Sequence, residues 1–550
     1  MRFKHFALAM RCAWGGSVES GRESGPQAGD VGDAGSADSA TVDAGGSPQD
    51  PTPPGARAVV RQAAIRDARV VHGERAAGLV RAVLLATVVT GAGCGTTPGA
   101  GVDDAGGGKC VSDVQCGGGS ARVCALDVET APVDLIAATL VCAAPSASGA
   151  PGTACELPAD CDRGLCVVAG RCVTACEGDG DCGAGERCAD VYLRASPGAL
   201  QPARACVTRV ELPDAVVVET SESPLVAAGR PVTLRLPTGA PGTASVIEPS
   251  APAHLTASAL ATVAPVVTLF DVAHVGPADP APVSPLDILS DTLTVRVPLG
   301  STPVASPMGV DLTVVPSSET SLRATTVSRA REGRVLDLRF FYVGVSREPG
   351  GSEPAPWLAA ALVEVARIFG AADLVLGEVT HHDVVGALAT RYAVVDRVGD
   401  DLPELSELLR LSAGARGPAV SVFLVREVDG ALGISGAIPG PPGMHGTPAS
   451  GIAISTDMFA GDSLGLALTI AHEVGHYLGL FHTSESDGTI LDSLDDTGEC
   501  RPAQDANGDG VLSFEECITL GGASLMFWSA RVSVLSFEQR RVLRESIVLR

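Results

Sequence analysis

The run His472-Glu473-Val474-Gly475-His476-Tyr477-Leu478-Gly479-Leu480-Phe481-His482 constrains this chain more than any other stretch, because its polar residues can act together in only one backbone conformation. Residues four apart share a helix face, so the imidazoles of His472 and His476 converge when the segment is helical. The surrounding apolar pattern predicts a helix over 464–480. Glu473 directly follows the first histidine, which sets its carboxylate beside water on a metal rather than on the metal itself, the place of a general base. Gly479 stands where the helix must stop. A residue without Cβ can take positive φ there, turning the chain so that His482 returns as a third ligand. Three protein ligands with a fourth position left to water is the arrangement of a catalytic zinc site, in which the pKa of the bound water falls to about 7.

The eleven-residue signature resembles that of the metzincin zinc proteases. Its continuation, His472 to Thr483 and then Asp495-Asp496-Thr497, is most similar to the pappalysin branch. The resemblance implies an endopeptidase acting on protein or peptide substrates, with Zn2+ on His472, His476 and His482 and with Glu473 as catalytic base. It also implies a mostly parallel sheet ahead of the zinc helix, with an edge strand that takes up substrate as an extra antiparallel strand. Ser524-Leu525-Met526-Phe527-Trp528 resembles the family's Met-turn, in which Met526 is an apolar floor beneath the zinc and not a ligand. Relatives often carry Tyr two residues after this Met, where its hydroxyl can assist the transition state. Trp528 offers an indole N–H instead, which would leave oxyanion stabilisation more to the zinc.

Residue patterns predict the elements around this motif: strands over 335–345, 419–428 and 451–454 and an amphipathic helix over 357–369. Residues 433–451, with Pro439, Pro441 and Pro442, read as a loop rimming the cleft. Ser536-x-x-Gln539 is a capping box opening a last helix that runs to about residue 545. His381, His382 and His445 lack ligand spacing and read as structural, as do the isolated His254 and His274.

A second metal motif lies downstream. Asp505-Ala506-Asn507-Gly508-Asp509-Gly510-Val511-Leu512-Ser513-Phe514-Glu515-Glu516 fits the twelve-residue EF-hand loop. Asp505, Asn507 and Asp509 would give side-chain oxygens to Ca2+, Val511 its carbonyl, Ser513 a direct or water-mediated contact and Glu516 a bidentate carboxylate, around a sharp turn at Gly510. Such a calcium would be structural. Cys500 and Cys517 bracket the loop and, as the two cysteines downstream of the repeats, should pair. Asp492, Asp495 and Asp496 read either as a further calcium site or as a solvated acidic turn.

Upstream the chain changes character. Of its 16 cysteines, twelve fall into three groups within 110–206: Cys110/116/124/142, Cys155/161/166/172 and Cys176/182/188/206. Each begins Cys-x5-Cys, with Gln115, Asp160 or Asp181 before the second cysteine, so three related modules are expected. Without CxxC pairs or histidines they are disulfide modules, not zinc ribbons, and four cysteines leave three pairings open in each. They read as a stalk, or as a docking array for a partner at the cell surface. Residues 207–327 are rich in Val, Thr, Leu and Pro, with alternating runs at 231–236 and 292–297. That is the chemistry of an antiparallel β-sandwich.

The expected organisation is therefore multidomain: disulfide modules over 110–206, a β-sandwich over 207–327 and an α+β, metzincin-like zinc protease domain over 328–550. Residues 1–78 read as unstructured or as a mis-assigned start, since 79–94 resembles a lipoprotein signal, with a short apolar run and small residues before Cys94. Cys94 would carry the lipid and 95–109 would be a flexible tether. Cysteine usage demands an oxidising compartment, so the protein is expected outside the cytoplasm, as an outer-membrane or cell-surface lipoprotein or a secreted protein. A formal charge of -25 opposes binding to nucleic acid or to anionic membrane surfaces, leaving a lipid anchor as the one membrane contact. The competing class is a surface-anchored adhesion or binding lipoprotein whose protease domain is weak or inactive.

Overall fold

Each cysteine group closes in the same way. In the computed structural model the first cysteine pairs with the third and the second with the fourth: Cys110–Cys124 and Cys116–Cys142, Cys155–Cys166 and Cys161–Cys172, Cys176–Cys188 and Cys182–Cys206. The residue before the second cysteine earns its recurrence as a turn cap. One oxygen of Asp160 accepts the N–H groups of Glu156 and Leu157, Asp181 does the same for Glu177 and Gly178, and Gln115 accepts from Val111. The structure describes residues 109–550 apart from 118–121, 128–135, 272–291, 298–308, 348–353, 397–402 and gaps of one to three residues. The expectations for 1–78, for the signal over 79–94 with Cys94, for 95–108 and for His274 lie outside the described residues.

Next in the chain, two four-stranded antiparallel sheets pack face to face. One orders its strands Thr268–Asp271, Leu255–Thr262, Val310–Pro316, Val232–Leu236; the other Leu293–Val297, Gly242–Pro249, Leu322–Arg329, Val216–Glu222. Alternation decides which side is core: along Val310–Pro316 every second residue is buried, and Val310, Leu312 and Val314 meet Ile247, Leu293 and Leu322 from the other sheet.

The C-terminal part is built on a five-stranded sheet in the order Val375–Val384, Val335–Val343, Val420–Val425, Ile452–Ser455, Gly433–Ser435. The first four strands are parallel and the short Gly433–Ser435 edge runs antiparallel. A parallel sheet must be covered on both faces. Leu338, Phe340, Tyr342, Val422 and Ile454 face the helices Pro356–Gly370 and Ser463–Leu478. Phe341, Val343, Phe423 and Val425 point the other way, into a core shared with Leu165, Val167, Leu193 and Leu200 of the cysteine modules. The modules are thus not a free stalk. Each is too small to bury a core alone, and their apolar residues complete the second cover of the sheet.

Two further expectations change. The strand predicted over 419–428 breaks at Arg426 into Val420–Val425 and Glu427–Val428, where the Arg426 N–H turns to Ala393 O and its side chain to Asp457. The expected rim loop contains the Gly433–Ser435 edge strand, and residues 439–451 are buried, not rimming. Gly440 N donates to Tyr477 O and Tyr477 Oη to Pro441 O, while Arg187 of the third cysteine module and Glu211, just beyond it, donate to His445 O and Gly443 O. A Cβ on Gly440 would stand 2.0 Å from the Tyr477 ring, so only glycine permits this approach.

Candidate metal centre

The histidine helix runs Ser463–Leu478, capped by the Asp462 carboxylate on Gly465 N, and is buried from Leu466 to Leu478. Gly479 ends it with φ 111°, and Leu480 N returns to Gly475 O, a Schellman-type closure. That turn has two products. It brings His482 back, with its Nε2 3.0 Å from His472 Nε2 and 3.1 Å from His476 Nε2. It also aims Leu480 O at His476 Nδ1, 2.7 Å away.

Every Nδ1 in the trio meets an acceptor: Leu525 O at 2.8 Å for His472, Leu480 O for His476, and Glu485 Oε1 at 3.0 Å for His482. A carbonyl cannot donate, so Nδ1 of His472 and His476 carries the hydrogen and Nε2 keeps its lone pair. Burial, with the His482 charge, lowers His472 to about 3, and burial lowers His476 well below the usual range, so both rings are neutral. Burial alone would lower His482 too, but the Glu485 carboxylate outweighs it and raises this ring. The result is a set of ring nitrogens aimed at one point, which a proton or a cation at the centre would satisfy. Zn–N bonds of about 2.0–2.1 Å in a tetrahedron put nitrogens about 3.3 Å apart, within a few tenths of an ångström of the two distances from His482 Nε2. The site fits zinc, with the outer hydrogen bonds that metal-bound imidazoles use.

Glu473 lies on the same helix, 7% exposed, against the edge strand. A Cβ on Gly433 would come within 2.6 Å of Glu473 Cγ, so glycine on that strand makes the room the carboxylate occupies. Met526 is fully buried below the helix, its sulfur 2.8 Å from where a Cβ on Gly475 would be. Sequence reasoning missed Gly433 and Glu485. Glu485 stands three residues past His482, close enough in sequence for a carboxylate to reach its ring, whereas Gly433 had no signal.

In the acidic loop, Asp505 accepts the N–H groups of Gly508 and Gly510, Asn507 that of Asp509, and Asp509 that of Val511. Glu516 folds back on Ala506 N and Ser513, and Gly510 takes φ 82°. These oxygens are of the kind calcium takes. The loop is held by the Cys500–Cys517 disulfide and followed by a single helical turn, Phe514–Cys517, in place of a long flanking helix. Outside the disulfides, the three His/Cys/Asp/Glu donors that converge within 4.8 Å among the described residues are His472, His476 and His482.

Trp528 Nε1 donates to Leu512 O at 2.8 Å, and the indole packs with Cys500, Leu512 and Phe527. It braces the turn at Met526 against the acidic loop. Asp492 and Asp496 divide between two tasks: Asp492 accepts from Thr497 and Leu494, while Asp496 accepts from Ser536 and Glu538 N at the start of the helix Phe537–Arg544. Burial raises the Asp492 carboxyl to about 7. His381 bonds Tyr342 Oη, His382 stacks on Phe341 and His445 meets Gly417 O, each away from the trio.

No protein-family model matches the chain, and no curated protein matches it. Among solved structures, mirolysin in complex with compound 9 aligns at 13% identity over 39% of this chain and 91% of that one, with a TM-score of 0.24. A likeness that loose carries neither fold nor activity across.

Proposed function

We infer that this chain is a zinc-dependent endopeptidase of the pappalysin-like metzincin kind, hydrolysing peptide bonds in extracellular proteins or peptides. The observation that supports it most is the trio of buried imidazoles whose Nδ1 atoms are all held by acceptors while their Nε2 atoms converge beside Glu473. His472, His476 and His482 would hold the zinc, which supplies Lewis acidity toward a carbonyl and makes water acidic at neutral pH. Glu473 takes a proton from the attacking water and returns it to the departing amine. The Gly433–Ser435 edge offers an extended peptide a free side for antiparallel pairing, next to that carboxylate.

Calcium in the loop of Asp505, Asn507, Asp509, Val511, Ser513 and Glu516 would brace the Met-turn through Leu512 and Trp528. Seven disulfides among the described residues call for an oxidising, extracytoplasmic compartment. Among the described residues no helix is long and apolar enough to cross a membrane. A lipid on Cys94 would provide the anchor.

The test is cleavage of casein and of a mixed quenched-peptide set by the full chain with zinc and calcium, against Glu473→Gln. Activity that follows Glu473 supports the reading. Equal cleavage by both proteins, or none by either, points instead to a binding lipoprotein.

A further inference from the structure

From the β-sandwich, Arg296 reaches the end of the histidine helix. Arg296, on its edge strand Leu293–Val297, is 8% exposed. Its Nη1 donates to Val542 O at 2.8 Å and lies 3.5 Å from Leu478 O, the last carbonyl of the histidine helix. Its Nη2 pairs with Glu545 Oε2 at 2.8 Å, and both side chains are about nine-tenths buried. The guanidinium also packs on the turn itself: a Cβ on Gly479 would stand 3.1 Å from Arg296 Nη1. Helix C-termini leave carbonyls unpaired and carry partial negative charge, and a buried cation answers both. Here the histidine helix and the final helix end side by side, and one arginine serves both ends.

We propose that Arg296 is a positioning residue for the metal centre, through which the β-sandwich holds the Gly479 turn and hence the third ligand, His482. The turn leaves the guanidinium and reaches Leu480, whose carbonyl orients His476, and then His482, so two of the three ligands depend on it. The sandwich is therefore part of the metal site's scaffold and not a separable appendage. This rests on the zinc reading above.

A neighbouring contact supplies the control. Arg329, on another strand of the same sheet, donates to Leu549 O and Ser546 O, binding the sandwich to the C-terminal tail without touching the histidine helix. The experiment measures zinc affinity of the full chain by competition with a chromophoric chelator, with thermal unfolding of each metal-free protein alongside. The variants are Arg296→Met, Arg296→Lys and Arg329→Met. Removing an outer-shell support costs about 10- to 100-fold in metal affinity, and about tenfold is expected for Arg296→Met. Arg296→Lys, which keeps the charge but loses the fork, should fall between it and the wild type. Arg329→Met should lower the unfolding temperature while binding zinc as the wild type does.

Arg296→Met binding zinc with wild-type affinity overturns the proposal. So does an equal loss in Arg329→Met, which would mean that loosening the interface anywhere has the same effect. Should Arg296→Met fail to fold, Arg296→Lys decides alone: wild-type affinity in it refutes the role, and a several-fold loss with an unchanged unfolding temperature supports it. If the wild-type chain binds no zinc, it is the metal-centre reading that fails.

Discussion

Replacing Gly433 by alanine adds one methyl group at the point where the edge strand passes the proposed base. Its carbon would stand 2.6 Å from Glu473 Cγ and 3.0 Å from both Glu473 Oε1 and Thr469 Cγ2. Carbons rest about 3.5–4.0 Å apart, so roughly 1 Å must be found. Cγ is close to the backbone and the helix is buried from Leu466 to Leu478, so the helix cannot retreat. The carboxylate must rotate or the strand must lift. Overpacking of this kind costs about 1–3 kcal/mol. The effect on rate is larger than on folding, because about 1 Å of misplacement at reacting groups costs on the order of 100-fold. That corresponds to about 2.7 kcal/mol of barrier at 1.36 kcal/mol per decade. The three atoms nearest the methyl belong to Glu473 and Thr469 and not to the trio, so zinc content should stay at the wild-type level. The assay is kcat/KM on a fluorogenic peptide, with zinc measured by mass spectrometry and Glu473→Gln as the floor. Wild-type turnover in Gly433→Ala, or loss of its zinc, would refute this account of how the carboxylate is placed.

Glu485→Gln keeps the shape of the His482 partner and removes its charge; chelator competition should show zinc affinity falling about 10- to 100-fold. The Cys500–Cys517 bridge spans a separation of 17 residues, so replacing both with serine should cost about 3 kcal/mol in denaturant titration. Unchanged stability would mean the loop is held by other contacts. Calcium should raise the unfolding temperature of the wild type and not of Asp509→Ala, as differential scanning fluorimetry with and without a chelator would show. Burial holds both His381 and His445 at about 4, well below 6.5. Each is neutral in the fold and gains a proton on unfolding below pH 6.5, so their contribution is complete above 6.5 and is lost as pH falls from 6.5 toward 4. The unfolding temperature should drop across that window, and His445→Asn should flatten the slope.

The residues that read most directly from sequence are those whose geometry depends on near neighbours. His472 and His476 share a face because of helical period, Gly479 ends the helix because it can take positive φ, and Ser536 caps Gln539 within three residues. The strands at 232–236 and 293–297 follow from alternation in the same way. Residues 439–451 misled, because prolines and glycines usually mark exposed loops; here they let a buried segment pass close to Tyr477. The indole of Trp528, read from sequence as leaving oxyanion stabilisation more to the zinc, gives its N–H to Leu512 O, sixteen residues away.

By itself the sequence determined which histidines converge, the helix that carries two of them and the turn that returns the third, since backbone period and φ are set within a few residues. Only the tertiary structure decided what holds those imidazoles: Leu525 O comes from 53 residues downstream to fix His472, and Arg296 comes from the sandwich to the end of the helix. It decided the cysteine pairings too, and it turned an expected stalk into the second cover of the parallel sheet. Burial and hydrogen-bond partners depend on which elements meet. That is set by the packing of whole faces, which local pattern does not encode.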